Sequence, residues 1–248
     1  MMLFEERLIF FPAKYPIGQW RPYGLEPEDA WFRAADGTEL HGWYLPHQKP
    51  RGFVLFCHGN AGNITHRDHV LRQLHDAVGV SVLIFDYRGY GRSRGSPGEA
   101  GVLADARAAQ QWLVRRGGVK PSEIILMGES LGCAVAVDLA VDGGARALVL
   151  QNGFSSLPDV AALHYPWLPV RWLLRTRLDA AGQIGRYQGP LFQSHGDADT
   201  IVPHRFGRRL FEAANEPKQL LTLPGHDHND LHGPEYYARL REFIEHLP

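Results

Sequence analysis

Short apolar runs alternate with helical patterns along most of this chain of 248 residues. The apolar runs predict strands, and the stretches between them space their apolar residues as amphipathic helices do. The predicted strands are 52–57, 81–85, 123–127, 147–150, 191–194 and 218–223, and the predicted helices are 70–78, 103–114, 133–141, 204–214 and 236–247. Because continuous apolar strands are buried on both faces, the pattern predicts an α/β fold with a mostly parallel, twisted sheet flanked by helices.

The segment before these runs has a different pattern. Residues 30–45 predict an antiparallel hairpin that turns at Asp36 and Gly37. Residues 8–11 predict a strand or loop packed on the core. The length is that of one α/β domain, so we expect residues 1–248 to form a single domain.

Composition excludes several classes of protein. Hydrophobic residues make up 44% of the chain and charged residues 21%, which indicates a globular protein. The net charge of −1 offers no basic excess for nucleic acid. The N-terminus lacks the features of a secretory signal, and no stretch is apolar enough to span a membrane. We therefore expect a cytoplasmic protein, in which Cys57 and Cys133 are buried thiols.

Gly128-Glu129-Ser130-Leu131-Gly132 follows a predicted strand and opens a predicted helix. This strand–turn–helix context is typical of a nucleophile elbow, G-x-S-x-G, in which a tight turn exposes the serine. Its glycines allow strand and helix to approach closely. The alternative is a serine that only caps the helix. The pattern favours Ser130 as a nucleophile.

A nucleophilic serine needs a base to take its proton and an acid to orient that base. In a chain with this order of strands and helices, the acid follows the serine and the base follows the acid. Asp197 and Asp199 follow the strand at 191–194, and His226 and His228 follow the strand at 218–223. The order alone does not decide between Asp197 and Asp199 as the acid, or between His226 and His228 as the base. Other histidines do not have the spacing of a metal site, and no cofactor motif occurs, so we expect neither metal nor cofactor.

Six segments together resemble the α/β-hydrolase superfamily. They cover nearly the whole chain in family order: 6–12, 58–63, 86–93, 128–132, 195–203 and 228–230. Within the superfamily, the chain is similar to small-cap serine hydrolases that include acyl-protein thioesterases and bacterial esterases. Relatives of this kind often carry a hydrophobic anchor before the segment matching 6–12, and the chain starts almost at that segment, so we expect no anchor, although peripheral membrane contact is possible.

The resemblance assigns roles to individual residues. The motif at 195–203 implies Asp199 as the acid, and the asparagine after His228 implies that histidine as the base. Asn60 and Leu131 are implied as the backbone N–H donors of the oxyanion hole, with Ala61 as an alternative to Asn60. The segment 86–93 is expected to be a shaped loop with an Asp–Arg pair.

The interval 154–189 is implied to be a small cap. Its Tyr165, Trp167 and Trp172 either pack the cap or form an apolar wall for an acyl chain. The expected function is hydrolysis of carboxylic esters or thioesters through an acyl-enzyme, with a small acyl ester or thioester as the only partner. The alternatives are a serine peptidase of the same fold and a noncatalytic protein that binds a small molecule. The oligomeric state is left open.

Overall fold

The computed structural model describes residues 2–248, with side chains from Glu5 onward. The strands are β1 Phe11–Pro12, β2 Glu28–Arg33, β3 Glu39–Leu45, β4 Phe53–Cys57, β5 Ala61–Gly62, β6 Ser81–Phe85, β7 Ile124–Glu129, β8 Ala147–Gln151, β9 Leu191–Gly196 and β10 Lys218–Leu223. The α-helices are α1 Met2–Ile9, α2 Asp68–Gln73, α3 Glu99–Gly117, α4 Leu131–Gly143, α5 Leu157–His164, α6 Val170–Leu173, α7 Ala180–Ile184, α8 His204–Ala213 and α9 Pro234–Glu245. A π-helical turn, Leu74–Val78, continues α2, and short 3-10 helices lie at Ile64–Arg67 and Pro121–Glu123.

An eight-stranded sheet in the order β10-β9-β8-β7-β4-β6-β3-β2 forms the centre of the described chain. The strands from β10 to β6 pair in parallel, whereas β3 pairs antiparallel with both β6 and β2. Arg33 pairs with Glu39 at the end of the β2–β3 hairpin, next to the predicted turn. The mostly parallel sheet with an N-terminal antiparallel hairpin, predicted from the sequence, is confirmed.

The sheet is covered by a hydrophobic cluster on each face. On β4, Val54 and Phe56 belong to the cluster that includes residues of α2 and α9, while Leu55 and Cys57 belong to the cluster that includes residues of α3 and α4. Successive strand residues point to opposite faces, so a strand buried on both faces must be apolar at nearly every position. This geometry explains the continuous apolar runs of the sequence.

The N-terminal segment differs from its prediction. Leu8 and Ile9 lie in α1, and only Phe11 and Pro12 form a strand, which pairs with β5. The expectation of a strand or loop over 8–11 is therefore wrong for its first half. Ile9 and Phe10 are buried, but Leu8 and Phe11 are exposed. None of the helices described is long and apolar enough to cross a membrane.

The interval between β8 and β9 holds α5, α6 and α7. Two carboxylates from elsewhere in the chain hold its second half. Glu5 of α1 accepts hydrogen bonds from the N–H groups of Arg175 and Thr176, and Glu99 of α3 accepts them from Arg177 and Leu178. The cap is thereby tied to two helices outside it.

The loop after β6 begins with a buried carboxyl group. Asp86 is fully buried, and its Oδ1 accepts a hydrogen bond of 3.0 Å from the N–H of Ile64, whereas its Oδ2 has no partner among the described residues. Arg88 does not pair with Asp86 but with Asp105 and Asp36. Burial raises the pKa of Asp86 to about 7, although hydrogen bonds and nearby arginines oppose the rise.

This raised pKa predicts a pH-dependent stability. Asp86 titrates near 3.9 in the unfolded chain, so between about pH 4 and pH 7 the folded state holds a proton that the unfolded state has lost. The contribution of Asp86 to stability should therefore fall as the pH rises through this range, by an amount on the order of 4 kcal/mol for a shift of about three units. Asp86→Asn should remove this fall. Urea unfolding of both proteins at pH 4 and pH 8 measures it, and equal pH dependence in the two would contradict the prediction.

Candidate active site

The turn between β7 and α4 carries Ser130 in an uncommon backbone conformation, with φ 52° and ψ −114°. Side chains at the flanking glycines would clash. A Cβ on Gly128 would lie 2.5 Å from the carbonyl oxygen of Gly132, and a Cβ on Gly132 would lie 1.9 Å from the carbonyl oxygen of Cys57. The glycines of the motif are therefore required by the close packing of α4 against β7 and β4.

Ser130, His228 and Asp199 form one hydrogen-bonded row. Nε2 of His228 lies 3.0 Å from Oγ of Ser130, and Nδ1 of His228 lies 2.7 Å from Oδ2 of Asp199. The other oxygen of Asp199 accepts hydrogen bonds from the N–H groups of Ile201, at 3.0 Å, and Val202, at 2.7 Å. With the proton on Nδ1 facing the carboxylate, Nε2 is free to accept the proton of the serine hydroxyl.

A second histidine, His195, supports the acid. It is fully buried, and its Nε2 lies 2.7 Å from the carbonyl oxygen of Val202 and 3.3 Å from Oδ2 of Asp199. Burial raises the pKa of Asp199, but the contacts with His195 and His228 outweigh burial and hold the pKa below its usual range. The carboxylate therefore stays ionised and can orient the histidine. His195 is the first residue of the segment 195–203, but its position in the sequence indicates no role.

Asn152, directly after β8, connects the loops of the row. It has a φ of 49°, in the left-handed region, and is buried. Its Nδ2 donates to the carbonyl oxygen of His228 at 2.9 Å, and its Oδ1 accepts from the N–H of Gly196 at 3.2 Å. The preceding Gln151 accepts from the N–H of Ser130 at 2.8 Å. Sequence reasoning missed Asn152, although its position after an apolar run, at the carboxyl end of a strand, was an available signal.

The alternative acid and base, Asp197 and His226, form hydrogen bonds between the loop after β9 and the loop after β10. Oδ1 of Asp197 accepts a hydrogen bond of 2.6 Å from the N–H of Gly225, which joins the two loops. The carbonyl oxygen of His226 accepts a hydrogen bond of 3.2 Å from the N–H of Ala198. Neither side chain takes part in the row that contains Ser130.

The predicted oxyanion-hole donors lie at two of the strand ends. Leu131 is the first residue of α4, and Asn60 follows β4. Among the hydrogen bonds of the described residues, none is donated by the backbone N–H of Asn60 or Leu131. Both N–H groups therefore lack a protein acceptor among the described residues. The Asn60 side chain donates to the carbonyl oxygen of Ile9, next to β1.

Consecutive carbonyl groups of the loop after β4 are held by buried side chains. Tyr87 donates its hydroxyl to the carbonyl oxygen of His58 at 3.1 Å, and Tyr90 donates to that of Asn60 at 2.7 Å. Nδ1 of His58 lies 2.7 Å from the carbonyl oxygen of Gly59. These contacts fix the peptide planes of the loop. The Asp–Arg pair expected within the segment 86–93 is wrong for the described residues, since its arginines pair with aspartates outside the segment, and its tyrosines instead orient the loop after β4.

The cap residues predicted to contact substrate are exposed. Tyr165 is 48% exposed, Trp167 is 73% exposed and Trp172 is 88% exposed, with Tyr165 and Trp167 in an edge-to-face contact. Their contact with an acyl chain stays a prediction. Cys57 and Cys133 are buried free thiols, as expected. In the part of the chain described, no group of three or more His, Cys, Asp or Glu side chains is arranged to hold a metal ion.

Comparison with known proteins gives matches over most of the chain. The model of a family described as serine aminopeptidase, S33 matches residues 48–177. The uncharacterized protein Rv2307c of Mycobacterium tuberculosis is 43% identical over 97% of this chain and 87% of its own length. The α/β-hydrolase domain-containing protein WAV2 of Arabidopsis thaliana is 31% identical over 99% of this chain and 89% of its own.

The fold also matches solved structures. The Pyrococcus furiosus esterase Pf2001 superimposes with a TM-score of 0.78 over 96% of this chain and 98% of its own, at 20% sequence identity. At this identity the likeness concerns the fold.

The contacts of Asn152 predict how much it contributes to stability. Asn152→Ala should destabilise the protein by about 2–4 kcal/mol, because it leaves buried partners unsatisfied and places a Cβ without a compensating hydrogen bond in the left-handed region. Asn152→Gly should recover only the backbone part, about 1 kcal/mol. Urea unfolding of the three proteins separates the two contributions. A glycine variant as stable as the wild type would show that the side-chain hydrogen bonds contribute nothing.

Proposed function

Since this chain belongs to the α/β-hydrolase family, we propose that it is a serine hydrolase that cleaves carboxylic esters or thioesters through an acyl-enzyme. The observation that carries the proposal is the row of Ser130, His228 and Asp199, with 3.0 Å and 2.7 Å between the reacting and orienting atoms. These distances lie within the range required of a nucleophile, its base and an orienting acid.

In the proposed reaction, Oγ of Ser130 attacks the acyl carbonyl carbon while Nε2 of His228 takes the hydroxyl proton. Asp199 keeps the imidazole in the correct tautomer and stabilises the imidazolium that forms. The protonated His228 then gives its proton to the leaving oxygen or sulfur atom. Water, activated by the same histidine, attacks the acyl-enzyme and releases the acid.

We propose that the negative oxygen of each tetrahedral intermediate is bound by the backbone N–H groups of Asn60 and Leu131. The proposal is supported by the absence of other acceptors for these two groups among the described residues. The hydrogen bonds from Tyr87 and Tyr90 support it as well, since they fix the peptide planes of the loop before the charge develops. Loss of one oxyanion donor typically lowers kcat by about 10²–10³-fold.

The second candidate is a serine peptidase, favoured by the description of the matching family as a serine aminopeptidase. An aminopeptidase must bind the charged amine of a peptide, and a free carboxylate near the serine is the usual means. Glu129, next to Ser130, is already paired with Arg67 at 2.8 Å. Asp199 is likewise engaged by His228. Neither of these two carboxylates is free to bind an amine, and hydrolysis of amino-acid p-nitroanilides tests the peptidase alternative.

The remaining proposals concern the surroundings of the site. Tyr165, Trp167 and Trp172 would contact the acyl chain from the exposed side of the cap, and the protein would act in the cytoplasm. A noncatalytic role would require that Ser130 be unreactive, which the following measurement decides.

A fluorophosphonate probe should label the wild-type protein, because an activated serine attacks phosphorus as it attacks an acyl carbon. Ser130→Ala should abolish the label and lower hydrolysis of p-nitrophenyl butanoate by several orders of magnitude, since loss of the nucleophile removes the covalent route. Ser122→Ala, a change at an exposed serine, is the control and should keep both activities. An unlabelled wild type, or an active Ser130→Ala variant, would refute the mechanism.

The two histidines and two aspartates provide matched pairs for the base and the acid. His228→Ala should lower kcat by at least about 10³-fold, as loss of a triad base does, and His226→Ala by less than about tenfold. Asp199→Asn should likewise be far more harmful than Asp197→Asn, because the amide favours the wrong tautomer of the histidine. Steady-state kinetics on one ester measures all four variants. An inactive His226→Ala or Asp197→Asn variant beside an active partner would reverse the assignment.

A further inference from the structure

A cavity of about 290 Å³ lies beside the candidate triad. We call it the histidine pocket; its lining includes His66, His69, Glu129, His228 and His232. The volume lies at the small end of the range for ligand pockets, so it fits a small group rather than a long chain. The mechanism above uses one of these residues, His228, and leaves the rest of the pocket without a role.

Two opposite charges of the histidine pocket compensate each other, and the further carboxylate that lines it, Asp230, is exposed to solvent and accepts a hydrogen bond from the N–H of Asp227. Arg67 makes a two-pronged ion pair with Glu129, with Nη2 to Oε1 at 2.8 Å and Nε to Oε2 at 3.2 Å. Burial raises the pKa of Glu129, but Arg67 outweighs burial and keeps the carboxylate ionised. The guanidinium is therefore not free to bind an anionic ligand, and the carboxylate is not free to bind a cationic one.

The histidines of the pocket supply uncharged hydrogen-bonding groups. Burial lowers the pKa of His232 to about 4, and burial also lowers the pKa of His69. Each neutral imidazole offers one donor and one acceptor. Nε2 of His232 is buried and has no partner among the described residues, while its ring packs against Tyr236, tilted by 38°, with the ring centroids 4.1 Å apart. Leaving this nitrogen unpaired costs free energy.

The histidine pocket adjoins His228, which must protonate the leaving group. His228 lines it and also lies 3.0 Å from Oγ of Ser130, and Glu129 directly precedes that serine. In ester cleavage the imidazolium protonates the leaving oxygen, so the alcohol part of the substrate must lie next to this histidine.

We propose that the histidine pocket binds the alcohol part of the substrate, and that this alcohol is an uncharged polyol such as a glycerol or sugar unit. The proposal rests on the proposed function and adds the substrate class to it. The hydroxyl groups of a polyol pair with neutral imidazoles as both donors and acceptors, which neither an alkyl nor a charged alcohol can do.

Three butanoate esters that differ only in the alcohol test the proposal: methyl butanoate, glyceryl 1-monobutanoate and butanoylcholine. Wild-type kcat/KM should be about tenfold higher for the glyceryl ester than for the methyl ester, as a few neutral hydrogen bonds would give. Equal values, or a preference for the choline ester, would overturn the proposal while leaving the hydrolase function intact. Hydrolysis of none of the three would overturn both.

His232→Phe should reduce the glyceryl-to-methyl ratio of kcat/KM toward one, because phenylalanine can keep the packing against Tyr236 but has no nitrogen. His75→Phe is the matched control, because this partly exposed histidine does not line the histidine pocket. This variant should keep the ratio. A ratio unchanged in His232→Phe would remove this histidine from the site and contradict the proposal.

A measurement on the wild type alone does not depend on the folding of a variant. During hydrolysis of p-nitrophenyl butanoate, added glycerol should compete with water for the acyl-enzyme. Its hydroxyl attacks the acyl carbon of the Ser130 ester while His228 takes the hydroxyl proton. The bond between the acyl carbon and Oγ then breaks, His228 returns the proton to Oγ, and glyceryl butanoate forms. The yield should exceed that of methyl butanoate from an equal concentration of methanol by about tenfold, by the same hydrogen bonds. Equal yields would contradict a polyol site.

Discussion

The close approach of α4 to the sheet at Gly132 is the constraint on which the rest of the site depends. A Cβ at this position would lie 1.9 Å from the carbonyl oxygen of Cys57 in β4, so only glycine allows the helix to begin where it does. This packing forces the chain through the sharp turn at Ser130, with its φ of 52°. The strain of that turn is held in place by the buried strands on either side of it. A reactive hydroxyl is thereby presented at the carboxyl edge of the sheet.

Around this turn, the loops of the site are joined by hydrogen bonds to β8. The carbonyl of Gln151 holds the backbone of Ser130, while the side chain of Asn152 holds the backbone of both Gly196 and His228. Three loops that are distant in the sequence are thus held by hydrogen bonds to the same two residues, Gln151 and Asn152. Because loops are the most mobile parts of such folds, this shared contact is what keeps the distances between nucleophile, base and acid short.

The N-terminal segment links the cap to the loop of the proposed oxyanion hole. Glu5 accepts two hydrogen bonds from the cap, at Arg175 and Thr176, and four residues later the carbonyl oxygen of Ile9 accepts one from the side chain of Asn60. Helix α1 therefore braces two sides of the candidate site at once.

The parallel sheet and the turn at Ser130 could be predicted from sequence patterns, and the family resemblance then selected Asp199 and His228 from the alternatives that the patterns left open. Runs that are apolar at nearly every position indicate strands buried on both faces, and the buried strand at 81–85 was predicted with the observed bounds, Ser81–Phe85. The glycines around Ser130 indicate a tight turn, and such local geometry can be predicted from sequence. The segment at 8–11 was harder to predict, because two buried and two exposed apolar residues fit a helix as well as a strand. The surroundings of the row could be seen only in the three-dimensional structure: the buried His195, the left-handed Asn152, the tyrosines under the loop after β4, and the histidine pocket. These depend on contacts between residues far apart in the chain, and no local pattern records which distant side chain will satisfy a buried polar group.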